Sequence, residues 1–184
     1  MHNSYTAVAK FFHWGMALMI LGLLALGFVM TDMPLSPEKL QYYAWHKWAG
    51  VSVFMLVWLR LAWRVLNPPP AYPDSMPPLL QRAAHLGHAA LYGLMIVIPL
   101  SGWLLSSAKG VPTVWFGVLP LPDLLEKDKA MGHLLHEVHE ALNFVLLFLL
   151  GGHAAAALKH HWIDKDDILK RMLPHGRTTQ EDNA

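Results

Sequence analysis

Four apolar stretches, each close to the length of a bilayer crossing, constrain this chain more than any other feature. They run from Phe11 to Met30, Trp45 to Val65, Ala84 to Ser107 and Leu134 to Leu158. A helix needs roughly 20 apolar residues to cross a hydrocarbon core of about 30 Å. Within lipid every backbone N–H and C=O must find its partner inside the segment, so spanning helices are the expected form. The first stretch carries the uncharged run MALMILGLLALGFVM, and the fourth, ALNFVLLFLLGGHAAAAL, is interrupted only by Asn143 and His153. The first is long and lacks an A-x-A-type site after its apolar run, so it reads as a retained span and not a cleaved signal.

Composition agrees with a lipid solvent. Only 15% of the residues are charged, against about 25% in soluble domains. There is no Cys, which excludes disulfides, iron–sulfur clusters, zinc–thiolate sites and covalent haem attachment through C-x-x-C-H. A net charge of +1 gives no case for a nucleic-acid partner.

The connections set the topology. Asn67 to Pro78, NPPPAYPDSMPP, is too rich in proline to be helical, and Val111 to Lys129 is a longer loop mixing aromatic and acidic residues. An even number of spans puts both termini on one side. Lys10, Arg60, Arg64, Arg82, Lys159, Lys165, Lys170, Arg171 and Arg177 lie on that side, against Lys39, Lys47, Lys109, Lys127 and Lys129 on the other. The positive-inside rule therefore predicts cytoplasmic termini. The expectation is an all-α, integral membrane four-helix bundle over residues 1–174, followed by a polar, disordered tail over 175–184. Trp14, Trp45, Trp48, Trp63, Trp103 and Trp162 fall near span ends, as interfacial anchors do.

Ionisable groups inside spans are costly and turn toward the bundle interior. His13, His46, His139 and His153 are the four that qualify. His139 and His153 are fourteen residues apart on one span, about 40° short of four full turns and about 21 Å along the axis. They share a face but are too far apart to share one metal. Depth pairs His13 with His153 at the inner level and His46 with His139 at the outer level. A bundle holds a b-type haem between two facing imidazoles in this way. Gly50, one turn after His46, and Gly151 and Gly152 beside His153 would let a flat macrocycle approach the helix. Interhelical hydrogen bonding by the same histidines is the competing reading.

Other polar residues are ambiguous. His136 competes with His139 as a ligand, but its angular offset from His153 is about 100°. His85 and His88 open the third span with Arg82 nearby, and read either as a solvated helix end or as contacts to a haem propionate or quinone. Arg60 and Arg64 read as propionate partners or as snorkelling side chains, and Lys47 beside His46 has the same double reading. His2, His160, His161 and His175 read as interfacial or solvated. The H-x-x-H-x-x-H run at His133, His136 and His139 is not the H-E-x-x-H of zinc proteases.

Several segments together resemble the bacterial cytochrome b561 family. They are F-H-W at Phe12 to Trp14, W-H-K-W-A-G at Trp45 to Gly50, W-R-V-L-N-P-P-P at Trp63 to Pro70 and H-L-G-H-A-A-L-Y at His85 to Tyr92. H-E-A-L at His139 to Leu142, G-H-A-A-A-A-L-K-H-H at Gly152 to His161 and the following I-D-K-D-D-I-L-K-R-M-L-P complete the likeness, which covers nearly the whole chain in order. The resemblance implies a four-helix bundle with two haem b groups whose iron ligands fall on His13, His46, His139 and His153. It implies residence in the bacterial inner membrane, and one-electron transfer with a quinone, a small redox molecule or a soluble redox protein as partner. At least one member is known as a superoxide oxidase that reduces ubiquinone. On the outer side Lys47, Lys109, Lys127 and Lys129 would steer an anion such as superoxide. Two other classes remain: a haem-bearing anchor subunit of a larger dehydrogenase or hydrogenase, and a non-haem transporter whose polar residues line a pathway.

Overall fold

Length and capping turn each apolar stretch into a helix longer than the stretch itself. In the computed structural model, which describes residues 4–73 and 75–174, α1 spans Ala7–Asp32, α2 Pro37–Leu66, α3 Pro78–Ala108 and α4 Lys129–Lys159. The tail expected at 175–184 lies outside the described residues, as do His2 and His175.

Local chemistry explains the extensions. Thr6, Ser36 and Asp128 each cap a helix by accepting from the backbone N–H three residues on, those of Ala9, Lys39 and Met131. Each cap satisfies an orphan donor, a contribution of about 1 kcal/mol. Pro37 and Pro78 occupy first-turn positions, where the missing N–H costs nothing. The prolines after Asn67 then stop α2, and the described residues from Asn67 to Pro77 are non-helical, whereas Pro78, expected in the linker, opens α3 because proline suits the first turn of a helix. All four helices are long and apolar enough to cross a membrane.

The helices pack mainly in chain order, α1 on α2, α2 on α3 and α3 on α4, whereas α4 makes no comparably close backbone approach to α1 or α2. Along that seam the two sides meet through side chains. A layer of Met16, Ile20 and Leu24 from α1, Val53 and Val57 from α2, Met95 and Ile98 from α3 and Leu146 from α4 forms the buried core. The outer faces stay apolar: Phe148 is 80% and Leu18 70% exposed, which suits lipid and would be an aggregation liability in water.

Two departures from simple spans occur at the ends. The loop after α3 is not structureless: β1, Val114–Trp115, pairs antiparallel with β2, Leu119–Pro120, in the register Val114 with Pro120 and Trp115 with Leu119. Gly110, at a φ of 68°, lets the chain leave α3, and its missing side chain leaves room for Lys127, whose Cδ would lie 2.8 Å from a Cβ there. At the other end α4 runs into a π-helical turn, His160–Asp164, and a short α5, Ile168–Met172. The Trp14 indole donates to Met172 O at 2.9 Å and Arg171 donates to Ala71 O at 2.6 Å, so α5 is tied to α1 and to the linker.

Candidate functional site

The four intramembrane histidines meet in two pairs. The rings of His13 on α1 and His153 on α4 have centroids 6.1 Å apart, and those of His46 on α2 and His139 on α4 have centroids 6.3 Å apart. Each pair bridges the seam along which α4 stands off from α1 and α2. Because α4 is uninterrupted between its two histidines, the pairs are about 21 Å apart along its axis. The apolar core layer lies between them.

The spacing suits a metal between two rings. With metal–nitrogen bonds of about 2.0–2.1 Å and about 1.1 Å from ring centre to nitrogen, collinear ligation puts centroids roughly 6.2–6.4 Å apart. Both observed values lie at or within 0.1 Å of that range.

Hydrogen bonding differs between the pairs. His139 Nδ1 lies 2.8 Å from Ser101 Oγ, and that hydroxyl donates to Ile98 O at 2.7 Å. The hydroxyl proton is thereby committed, so Ser101 accepts the Nδ1 proton of His139 and leaves Nε2 with a lone pair. This is the arrangement by which outer groups orient ligating imidazoles. His46 Nδ1 is buried without a hydrogen-bond partner. A desolvated ring nitrogen of that kind is costly unless it bonds to something, and a metal would satisfy it. At the inner level Arg60 Nη2 lies 3.1 Å from His13 Nδ1.

Several residues were beyond the reach of the sequence. Ser101 is one; a serine in an apolar span gives no signal until its partner, 38 positions away, is known. Gly102 is another: a Cβ there would stand 3.1 Å from His139 Cε1, so the ring packs on bare backbone. Gly27 serves His46 similarly but less tightly, at 3.6 Å. Gly50, Gly151 and Gly152, the glycines expected to admit a macrocycle, have open space around an added Cβ.

The ambiguous residues divide. His88 turns inward, its ring centroid 5.3 Å from that of His153, making the inner level a cluster of three imidazoles. His85 stays exposed, edge-on to Tyr72. His136 is exposed while His139 faces the seam. His160 is not simply solvated: at the start of the π-helical turn, its Nδ1 lies 2.6 Å from Asp166 Oδ2 and 3.1 Å from Asp164 Oδ2. His161 is likewise half-buried, with Nδ1 unpartnered.

At the outer end Lys47 is not a free cation. Its Nζ donates to Val111 O and Pro112 O, both at 3.2 Å, and so holds the hairpin loop against α2. Two of the tryptophans expected to be anchors act differently too. Trp48 donates to Val114 O at 2.6 Å, and Trp103 to Pro122 O at 3.0 Å. Lys109, Lys127 and Lys129 remain together, lining with His133 and His136 a cavity of about 350 Å³.

A family model described as prokaryotic cytochrome b561 matches residues 4–175. The chain is 38% identical over 177 residues to cytochrome b561 homolog 2 of Escherichia coli K12, covering 92% of this chain and 90% of that protein. It is 27% identical over 182 residues to a Yersinia pestis protein named probable superoxide oxidase CybB, covering 96% and 99%. Cytochrome b561 homolog 1 of E. coli K12 is 34% identical over 131 residues, 70% of this chain and 73% of that one. The likeness runs through all four helices and the connections that orient them, so this bacterial membrane protein of electron transfer belongs to the prokaryotic cytochrome b561 family.

Proposed function

We propose that the chain is a di-haem cytochrome b with one haem held by His13 and His153 and the other by His46 and His139, passing electrons singly between a quinone and a second redox partner. The observation that carries this reading is the pairing of imidazoles at two levels, 6.1 and 6.3 Å apart, across the seam where α4 stands off. The family implies haem b, and the spacing and the orphaned His46 Nδ1 fit such a group. A bound haem supplies reversible one-electron chemistry.

The chain's own residues set the rest. Two imidazoles at each level would hold a haem from both sides, so electron donors and acceptors would react at the edge of the site. Ser101 fixes the orientation and tautomer of His139. The core layer from Met16 to Leu146 keeps water out of the space between the levels. Both termini lie in the cytoplasm and the hairpin loop faces the other side, by the distribution of Lys and Arg. A pyridine haemochrome assay on the detergent-purified protein tests the reading. Two b haems per chain, with one lost in each of His13→Ala and His46→Ala, is the expected result; a chain without haem after growth with ample haem supply overturns it.

Superoxide is the donor that the outer surface fits. The cavity lined by Lys109, Lys127 and Lys129 carries three positive charges against the one carboxylate of Asp128, and the Y. pestis relative is named for superoxide oxidation. Replacing the three lysines by Gln is expected to lower the superoxide-driven haem reduction rate and flatten its salt dependence. An unchanged rate removes superoxide steering from this surface.

A further inference from the structure

Two positive charges at the inner level have no carboxylate partner among the described residues. Arg60 and Arg64 stand one turn apart on α2, both half-buried. Ion pairs among the described residues join His133, Lys159, His160 and Lys170 to acidic groups, and neither arginine takes part. Both guanidinium groups lie over one ring: Arg60 Cζ is 5.3 Å and Arg64 Cζ 6.0 Å from the centroid of Tyr92. Tyr5 lies near Arg64, but burial pushes its phenol above the ordinary value, against the pull of Arg64, so it supplies no negative charge. Arginine stays charged at any physiological pH. A like-charged pair withdrawn from water without a counter-ion is a demand for an anion.

The contact between Arg60 and His13 carries a second implication. Arginine has only N–H donors, so in the 3.1 Å contact His13 Nδ1 must be the acceptor. The ring proton then sits on Nε2. Neither nitrogen is free for a metal: Nδ1 spends its lone pair on Arg60, and Nε2 carries hydrogen. His139 is the opposite case, because Ser101 accepts its Nδ1 proton and Nε2 is already a ligand.

We propose that Arg60 and Arg64 form a carboxylate clamp, and that Arg60 passes from His13 Nδ1 to a haem carboxylate when the inner pair is loaded. The inference rests on the haem reading above and adds to it the residues that make the inner pair selective for an acidic macrocycle. In the exchange the His13 proton moves from Nε2 to Nδ1 and the ring stays neutral. The Nε2 lone pair becomes available, and the guanidinium trades one ring nitrogen for two carboxylate oxygens, which its fork matches. Tyr92 holds both guanidinium groups in place from below. The outer pair needs no such exchange.

The test uses the full chain, purified in detergent from haem-limited cells and titrated with protohaem or with its dimethyl ester, the Soret band reporting each site. The wild-type chain is expected to take two protohaems. The ester is expected to fill the outer pair normally and the inner pair at least about tenfold more weakly, the scale of one charge-assisted hydrogen bond. Arg60→Gln and Arg64→Gln should weaken protohaem at the inner pair and erase its advantage over the ester, while outer-pair loading in the same sample reports that the variant is folded. Equal affinity for acid and ester in the wild-type chain overturns the clamp, as does an Arg60→Gln protein that keeps the preference. Should the arginines serve phospholipid phosphate instead, anionic vesicles will raise the melting temperature of the wild-type chain but not of the variants, with no acid–ester difference; that also overturns it. Absence of any bis-imidazole spectrum is a different failure, that of the haem reading itself.

Discussion

The two imidazole pairs are alike in spacing and unlike in surroundings. The outer pair is held by neutral contacts: Ser101 accepts from His139, Gly102 lies against its ring, and a hairpin tied by Lys47, Trp48 and Trp115 covers that end of α2. The inner pair is crowded with charge and titratable groups, with His88 beside His153 and Arg60 beside His13. One fold thus gives two similar ligand sets different electrostatics. Haem potentials respond to burial, hydrogen bonding and nearby charge, so on the proposed di-haem reading the two levels would differ in potential without any change of ligand. On the proposed exchange at His13, the inner pair rearranges to bind and the outer pair does not.

The strongest way to break the comparison is to remove one level at a time. His139→Ala and His153→Ala are each expected to halve haem content, from two to one per chain by haemochrome assay, and the haem left behind should differ in midpoint potential. Two variants that retained the same haem would show that the levels are not independent. A finer cut is Ser101→Ala, which deprives the His139 Nδ1 proton of its acceptor. Removing such an orienting partner weakens binding by about 10- to 100-fold, and here it should loosen only the outer haem in a dilution or apomyoglobin-transfer assay. Equal loosening of both haems would count against Ser101 acting through His139.

Glycine substitutions sharpen it further. Gly102→Val places methyl groups where the His139 ring lies and is expected to cost about 1–3 kcal/mol, read as a lower melting temperature with partial loss of the outer haem. Gly151→Ala, which meets nothing within 4 Å, should leave both unchanged. The smallest effect belongs to the hairpin. Trp115 donates to Trp48 O and Ser52 Oγ, both at 3.2 Å, and Trp115→Phe loses these bonds at about 1 kcal/mol. A slightly lower melting temperature with full haem content is expected; loss of the outer haem would make the hairpin part of the site.

Some of this was legible before any coordinates. Apolar length announced α1 to α4 and their C-terminal ends to within two residues, whereas the N-terminal ends begin four to eight residues before the apolar runs, because the polar first turns capped by Thr6, Ser36 and Asp128 carry no apolar signal. The phase of His139 and His153 was readable because helical geometry is rigid. What helical phase does not encode is the neighbour. Ser101 against His139, Lys47 against Val111 and Arg60 against His13 join residues 38, 64 and 47 positions apart, and no local pattern marks them. The same holds for glycine: Gly27 and Gly102 meet a histidine across a helix interface, which nearness in sequence does not reveal.

The sequence by itself determined the number of spans, the solvent they require and the two levels at which imidazoles occur, because bilayer thickness and helical rise act on consecutive residues. Only the tertiary structure decided which helices touch, where α4 stands off, and that one histidine faces a serine while another faces an arginine. Those are properties of interfaces, created when distant segments are brought together, and they set how each imidazole holds its proton.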